Sequence, residues 1–311
     1  MNPMTERIAA APISWGVSEV PGWGHQMKPG RVFAEMRSLG LQASELGPNG
    51  YFACDPRVIK SMHSSDFSIM AGFVPITLRF PGGMIDSAES LNETLSRLKD
   101  AGAEFVVLAV AGPTTDYQSR LSLKGDDWSL VTEALKIVEE VAGANGLRAV
   151  LHPHFGTFVE TARDSLKAIE GSDIGICLDT GHLALAGDDP IDLVSLAPDK
   201  VLHVHLKDLD AALAAQVRQG AVSYQDAIKQ GLYRPLGQGD IDIENIITRL
   251  ELAGYEGWYV LEQDVAISQE PSPGEGPVLD VMESLEFLTS LQQKIGTATI
   301  SAEQSDVSLG R

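Results

Sequence analysis

FVVLAVAG at residues 105–112 is an apolar run of strand length, and a segment with helical spacing links it to a second such run, RAVLHPH at 148–154. In the linking segment, apolar side chains recur along one helix face: Leu130, Ala134, Leu135 and Val138. Apolar runs that end in turn residues suit strands buried on both faces, as in a parallel sheet. This stretch therefore predicts one strand–helix–strand unit.

The same alternation repeats along the whole chain. Six further runs of strand length are IAAAPISW (8–15), QASELG (42–47), SIMAGFVPI (68–76), IGICLDTGH (174–182), VLHVHLKD (201–208) and GWYVLEQD (257–264). Eight strand–helix units predict a closed (β/α)8 TIM barrel, which typically takes about 250 residues. The alternative is an open doubly wound sheet. The chain has no GxGxxG or GxxxxGK[ST] phosphate loop to favour it.

The remaining length is explained by one long loop and a tail. Residues 209–240, between the seventh and eighth strands, are too many for an ordinary connection, and they predict a long β7–α7 loop over the active site. Residues 296–311 are polar and without periodicity, which predicts a disordered C-terminal tail. We therefore expect a single catalytic domain at 1–295 followed by the tail at 296–311.

Composition and charge exclude several classes of function. The chain of 311 residues carries 23 Lys and Arg against 43 Asp and Glu, a formal charge of −20. Nucleic acids and anionic membranes attract basic surfaces, so we expect neither as a partner. Only two cysteines, Cys54 and Cys177, indicate a reducing compartment. With no signal peptide and no apolar stretch of about 18 residues, the sequence predicts a cytoplasmic protein; homo-oligomerisation stays open.

Five of the seven histidines fall at the ends of predicted strands, and acidic residues join them. The histidines are His152, His154, His182, His203 and His205, and the acidic residues are Glu45, Asp179, Glu262 and Asp264. In a (β/α)8 barrel these strand ends meet at one mouth, where the active site lies. Any one of these residues alone would be explained by a structural hydrogen bond. Four consecutive strands that all end in His, Asp or Glu indicate a functional site.

Side-chain alternation along the strands orders these residues by depth. His205 lies nearer the mouth than His203, so His205 is the better metal ligand and His203 its support. Cys177 lies one layer below Asp179 and is expected in the core. A set of imidazoles and carboxylates suits Mn²⁺, Co²⁺, Zn²⁺ or Fe²⁺ better than a thiolate metal.

Several motifs together resemble the xylose-isomerase-like barrel superfamily of sugar isomerases and epimerases. They are DTGH (179–182), HVHLKD (203–208), GQGDID (237–242) and the glutamate of VLEQD at the end of the eighth strand. APISWG (11–16), SELGPNGY (44–51) and HPHFGT (152–157) resemble more narrowly the inosose dehydratases of myo-inositol breakdown. The resemblance covers about residues 8 to 293.

The resemblance implies roles for individual residues. It implies that a divalent metal, Mn²⁺ or Co²⁺ before Zn²⁺, Fe²⁺ or Mg²⁺, is bound by Asp179, His205 and Glu262. It also implies that His182 and Lys207 contact the substrate and that Trp15 and Glu45 line the pocket. Epimerases of the superfamily usually have a glutamate at the end of the fifth strand, where this chain has His152. His152 is therefore either a fourth ligand or an acid–base group.

Other residues complete the expected site. His154 is expected to contact substrate, and Arg234 in the long loop is expected to reach into the mouth when that loop closes. The catalytic groups are expected among His152, His182 and Lys207, because a dehydratase needs one base and one acid, and imidazole suits both roles near neutral pH.

The expected function is a metal-dependent hydro-lyase that dehydrates an inosose (2-keto-myo-inositol) or a related ketopolyol. The metal would stabilise an enolate, and water would leave. One alternative is an isomerase or epimerase of an unphosphorylated ketose, and another is a lyase that opens 3-keto-glycosides by β-elimination. An apurinic-site endonuclease would need a basic groove, which the charge of −20 argues against. A metal-free binding protein would keep the fold without the ion.

Overall fold

Eight parallel strands close into a barrel in the computed structural model, which describes residues 3–48, 51–52, 56–80, 82–84, 86–113, 123–125 and 127–309. The strands are β1 Ile8–Ala10, β2 Ala43–Glu45, β3 Ser68–Arg79, β4 Phe105–Ala111, β5 Arg148–Leu151, β6 Gly175–Asp179, β7 Val201–Leu206 and β8 Tyr259–Leu261. Each strand pairs in parallel with the next, and β8 pairs with β1 to close the circle. The TIM barrel prediction is confirmed.

Helices surround the barrel. They are α1 Pro29–Ser38, α2 Pro56–Ser64, α3 Ala88–Asp100, α4 Asp127–Ala144, α5 Ala162–Glu170, α6 Thr180–Ala186, α7 Pro190–Leu196, α8 Ala211–Arg218, α9 Tyr224–Lys229, α10 Ile243–Leu252 and α11 Pro277–Leu309. The run at 174–182 is shorter as a strand than the sequence predicts. The Asp179 side chain accepts a hydrogen bond from the His182 N–H and caps α6. His182 is therefore on the first turn of a helix and not on a strand.

Small and aliphatic side chains fill the barrel below the site. This core includes Ala9, Ala43, Ala71, Val107, Val150, Cys177 and Val260. Cys177 is fully buried, and its burial raises the pKa of the thiol to about 12, so the thiol is neutral. Its place in this layer agrees with the expected core role, whereas Cys54 lies outside the described residues.

The long loop after β7 folds as a unit of its own on the mouth of the barrel. Two short strands, Asp208–Leu209 and Tyr233–Arg234, pair antiparallel at its base, and α8 and α9 lie between them. We call residues 208–241 the insert. Its apolar side chains form one cluster with Trp23 and Phe155 from neighbouring loops. The insert is therefore a packed wall of the mouth.

Asp208 closes the insert at its base and explains the GQGDID motif. Its buried carboxylate accepts four backbone N–H bonds, from Leu209 and Ile241 at 2.9 and 3.0 Å and from Gly237 and Gly239 at 2.9 and 3.0 Å. A Cβ on Gly239 would lie 2.3 Å from the Asp208 Oδ1 atom, so this position requires glycine. These four hydrogen bonds, which we call the Asp208 clamp, explain the motif.

We expect Asp208→Ala to lower the free energy of unfolding by about 2–4 kcal/mol, because several backbone N–H groups lose their acceptor. Asp210→Ala is the matched control. Asp210 caps α8 from a solvent-accessible position, and its loss is expected to cost only about 1 kcal/mol. Urea unfolding of both variants measures the difference. Equal destabilisation would contradict the clamp.

The last helix, α11, runs from Pro277 to Leu309 and so extends into the predicted tail. The division of the chain at residue 295 stays a prediction. Within the described residues, no helix has the length and apolar character to cross a membrane.

Candidate active site

Four predicted metal ligands lie together at the C-terminal mouth of the barrel. Asp179 and His205 are register partners on β6 and β7, and His152 and Glu262 follow β5 and β8. One ligand atom from each lies within 4.8 Å of the others. His152 Nε2 is 3.1 Å from Asp179 Oδ2, and His205 Nδ1 is 3.6 Å from the same oxygen and contacts Glu262 Oε2. The strand ends thus converge as expected.

Lys207 lies among three carboxylates beside this cluster. Its buried Nζ is 2.9 Å from Asp179 Oδ2, 2.7 Å from Glu262 Oε2 and 3.4 Å from Asp264 Oδ1. Burial alone would lower the pKa of Lys207, but these three carboxylates outweigh it and raise the pKa well above its ordinary value. Lys207 is therefore a fixed cation at the wall of the cluster.

The donors fit a divalent metal. His205 Nδ1 is buried, faces two carboxylates and has no hydrogen-bond partner among the described residues. A buried polar atom without a partner is costly, and a cation between Nδ1 and the carboxylates would satisfy it. The mixture of imidazole and carboxylate donors suits first-row divalent ions. The buried His, Asp and Glu cluster is consistent with a divalent metal, whose identity is not determined.

Burial and neighbouring charges act in opposite directions on the pKa values of the ligand residues. Burial raises the pKa of Asp179, but the Lys207 ammonium outweighs it and holds the pKa well below its ordinary value. Burial opposes protonation of His205, but the surrounding acidic groups, Glu262 and Glu45 among them, raise its pKa well above its ordinary value. Burial instead lowers the pKa of His152. The cluster thus holds ionised carboxylates next to a neutral imidazole at His152.

His154 and His182 stack beside His152, with ring centroids 3.9 Å apart. Burial and the neighbouring His152 lower the pKa of His154 to about 3, and burial and His154 hold that of His182 well below its ordinary value. The Phe155 peptide distinguishes the two rings. Its carbonyl accepts from Nδ1 of His154 at 2.8 Å, whereas its N–H donates to Nδ1 of His182 at 3.4 Å. His154 therefore has an acceptor Nε2, and His182 carries its proton on Nε2.

A cavity of about 240 Å³ opens above this cluster. His152, His154, His182, Glu262 and Glu45 line it, as the sequence predicts. Its other wall is largely apolar and includes Pro12, Ile13, Val17, Val20, Trp23, Phe73 and Pro75. No Lys or Arg stands among the described residues that line this cavity.

Two predicted substrate contacts lie elsewhere. Trp15 is fully buried, and its indole N–H donates to Glu35 in α1 at 2.9 Å. Trp15 is therefore a core residue, and Trp23 provides the aromatic wall of the cavity. Arg234 is half-exposed, and its guanidinium lies 3.4 Å from the Asp210 carboxylate at the base of the insert. Because it is directed toward this surface carboxylate, the structure does not bring Arg234 to the cavity.

The cavity residue Tyr224 carries no signal strong enough to identify it in the sequence. Tyr224 is on α9 of the insert, and its hydroxyl donates to Asp264 Oδ2 at 2.7 Å. Asp264 is recognisable as a strand-end acid, but its partner is not. Only the packing of the insert brings Tyr224 to the mouth. Burial raises the pKa of Asp264 to about 6, although Lys207 opposes this.

The comparison with protein families agrees with this geometry. Residues 67–291 match the family described as the xylose isomerase-like TIM barrel. The chain belongs to the xylose isomerase-like TIM barrel family. The matched residues span strands β3 to β8 of this chain and therefore include the ends of β5 to β8, where the four donors lie.

Named relatives share most of the length of this family member. The rhizopine catabolism protein MocC of Rhizobium meliloti is 28% identical, over 97% of this chain and 94% of its own length. An inosose dehydratase of Geobacillus thermodenitrificans is 27% identical, over 84% of this chain and 91% of its own length. A solved structure of L-ribulose 3-epimerase has a TM-score of 0.69 at 20% identity, over 95% of this chain and 97% of that chain. This last likeness concerns the fold alone.

Proposed function

We propose that this xylose isomerase-like enzyme is a metal-dependent dehydratase of an inosose (2-keto-myo-inositol) or a related ketopolyol. The carrying observation is that neutral imidazoles line a single cavity directly above the four-donor cluster. Dehydration next to a ketone needs a metal site and acid–base groups side by side. The inosose dehydratase among the relatives supports the choice of substrate.

Asp179, His205, Glu262 and His152 would hold the metal. When bound, a divalent ion there would supply Lewis acidity to a substrate carbonyl oxygen. Lys207 holds Asp179 and Glu262 in place through its ammonium group, and the apolar wall excludes water from the reacting face. The protein thus fixes the donors before substrate enters.

The proton transfers fall to the imidazoles. One imidazole accepts the proton from the carbon next to the ketone, and an N–H donor gives a proton to the departing β-hydroxyl. His182, with its proton on Nε2, is suited to donate, whereas Lys207, predicted as a catalytic group, does not line the cavity and acts by holding Asp179 and Glu262. The acceptor is His154, or His152 where only Asp179, His205 and Glu262 hold the metal. One C–H and one C–O bond break, a C=C bond forms, and the hydroxyl leaves as water.

The cavity favours a neutral substrate. Its described acidic lining residues include Glu19, Glu45, Glu262 and Asp264, and no described Lys or Arg lines it. A phosphate placed away from the metal donors would face like charge and find no Lys or Arg among the described lining residues, which costs several kcal/mol. Hydroxyl groups of a polyol, in contrast, find donors and acceptors along the wall formed by the histidines, Asp264 and Tyr224.

Incubation of the purified protein with Mn²⁺ or Co²⁺ and 2-keto-myo-inositol should produce the ultraviolet absorbance of a dione product. A phosphorylated ketopolyol is the matched comparison, and its kcat/KM should be at least about 100-fold lower, because several kcal/mol of repulsion is more than two factors of ten. No turnover of the inosose with clear turnover of a ketohexose would overturn the proposal. Deuterium incorporation from solvent without loss of water would favour the epimerase instead.

A further inference from the structure

Glu45 makes contacts that a pocket-lining residue would not need. One of its oxygens, Oε1, lies 2.8 Å from Nε2 of His205 and 2.8 Å from Nε2 of His203. Glu45 ends strand β2, while both histidines are on β7, three strands away around the barrel. All three side chains are buried. The carboxylate therefore reaches across the barrel to bind two imidazoles.

These contacts fix which nitrogen of His205 faces the metal cluster. An ionised carboxylate only accepts hydrogen bonds, so both imidazoles donate an Nε2–H to it. His205 is left with Nδ1 toward Asp179 and Glu262, and this atom has no hydrogen-bond partner among the residues that the structure describes. Carboxylates that hold the second nitrogen of a ligand histidine orient the ring and raise its basicity.

We propose that Glu45 is a positioning residue for the metal centre: its Oε1 holds the Nε2–H of His205 and so presents Nδ1 to the ion. His203 has a different role. Its ring packs against Phe105, with centroids 5.5 Å apart, and its Nε2–H is the second bond to the carboxylate. Loss of His203 would leave the bond between Glu45 and His205 in place.

Affinity for Mn²⁺, measured by calorimetry without substrate, tests this role. Glu45→Ala should bind Mn²⁺ about 10–100-fold more weakly than the native protein, the range typical of carboxylates behind a ligand histidine. Glu45→Gln keeps an acceptor oxygen and should recover most of that loss. His203→Leu is the matched control, because His203 is equally buried and its loss removes one hydrogen bond to Glu45. This variant should bind Mn²⁺ about as the native protein does. The absorption spectrum of bound Co²⁺ should change in Glu45→Ala and not in His203→Leu.

Three results would overturn the proposal. They are native affinity in Glu45→Ala, an equal loss in His203→Leu, and the absence of Mn²⁺ and Co²⁺ binding by the native protein. If Glu45→Ala does not fold, Glu45→Asp replaces it, because the shorter side chain keeps the charge and withdraws the acceptor from His205. Because no substrate is present, the first two outcomes are independent of whether the enzyme dehydrates an inosose, whereas the third would overturn the proposed function as well.

Discussion

Asp179→Asn is expected to lose both bound metal and turnover. Asp179 Oδ2 lies within 3.6 Å of His152, His205 and Lys207, at the centre of the cluster, so loss of its charge removes the anion that the other donors surround. Asparagine keeps the Oδ1 acceptor for the His182 N–H, so the start of α6 should survive. Lewis-acid stabilisation is worth several kcal/mol, so we expect kcat to fall by at least about 10³-fold.

Elemental analysis of dialysed protein and kcat on the same samples measure the effect. Cys177→Ala is the matched control, since Cys177 is buried two residues earlier on the same strand. Cys177 also lies within ligand distance of His152 and His205, but its thiol is neutral and a poor ligand. The control should therefore keep metal and activity. Stoichiometric metal in Asp179→Asn would refute the assignment of Asp179, and metal loss in Cys177→Ala would favour a thiolate site.

Lys207→Met is expected to lose turnover and keep metal. Removal of the ammonium group takes away the cation that positions Asp179 and Glu262, and a displacement of about 1 Å at a reacting centre can cost about 10²-fold in rate. Asp179, Glu262 and Asp264 would then face one another without their shared cation. Because a bound metal offsets that repulsion, we expect Mn²⁺ to raise the melting temperature of this variant more than that of the native protein.

Lys207→Arg is the companion variant. Arginine keeps the positive charge among the carboxylates, but its planar head replaces the point charge of lysine and cannot reproduce the same three contacts. It should restore the melting temperature of the metal-free protein without restoring kcat. Full activity in Lys207→Arg would show that Lys207 acts by charge alone. Loss of Mn²⁺ in Lys207→Met would contradict the prediction and show that the metal cannot replace the ammonium group between the carboxylates.

The barrel was predictable because each strand is a short apolar run bounded by turn residues, and eight such runs alternate with helical spacing. Boundaries were harder to predict. DTGH continues the apolar run of β6, yet Asp179 caps a helix and ends the strand there. Helix α2 at Pro56–Ser64 was expected only as the connection between the second and third strands, without bounds.

The donor cluster was predictable because strand ends in a barrel meet at one mouth, so His152, Asp179, His205 and Glu262 needed only the fold to converge. The residues of the cavity wall could not be predicted from the sequence, because they depend on how the loops pack. Trp15 and Trp23 are indistinguishable as sequence signals for stacking, and only the structure shows Trp15 bonded to Glu35 and Trp23 at the cavity. Glu45 was expected at the pocket. Its hydrogen bonds to His203 and His205 could not be predicted, because they form only when the barrel closes and brings β2 opposite β7.

The clamp at Asp208 makes the insert an exchangeable module. The carboxylate of Asp208 holds both ends of the insert, residues 208–241. The four proposed metal donors all lie outside the insert, at the ends of barrel strands. A graft that keeps Asp208, Gly237, Gly239 and Ile241 could replace α8 and α9, and with them Tyr224, without touching any donor. The part of the cavity wall that the insert contributes could then be redesigned separately from the metal donors.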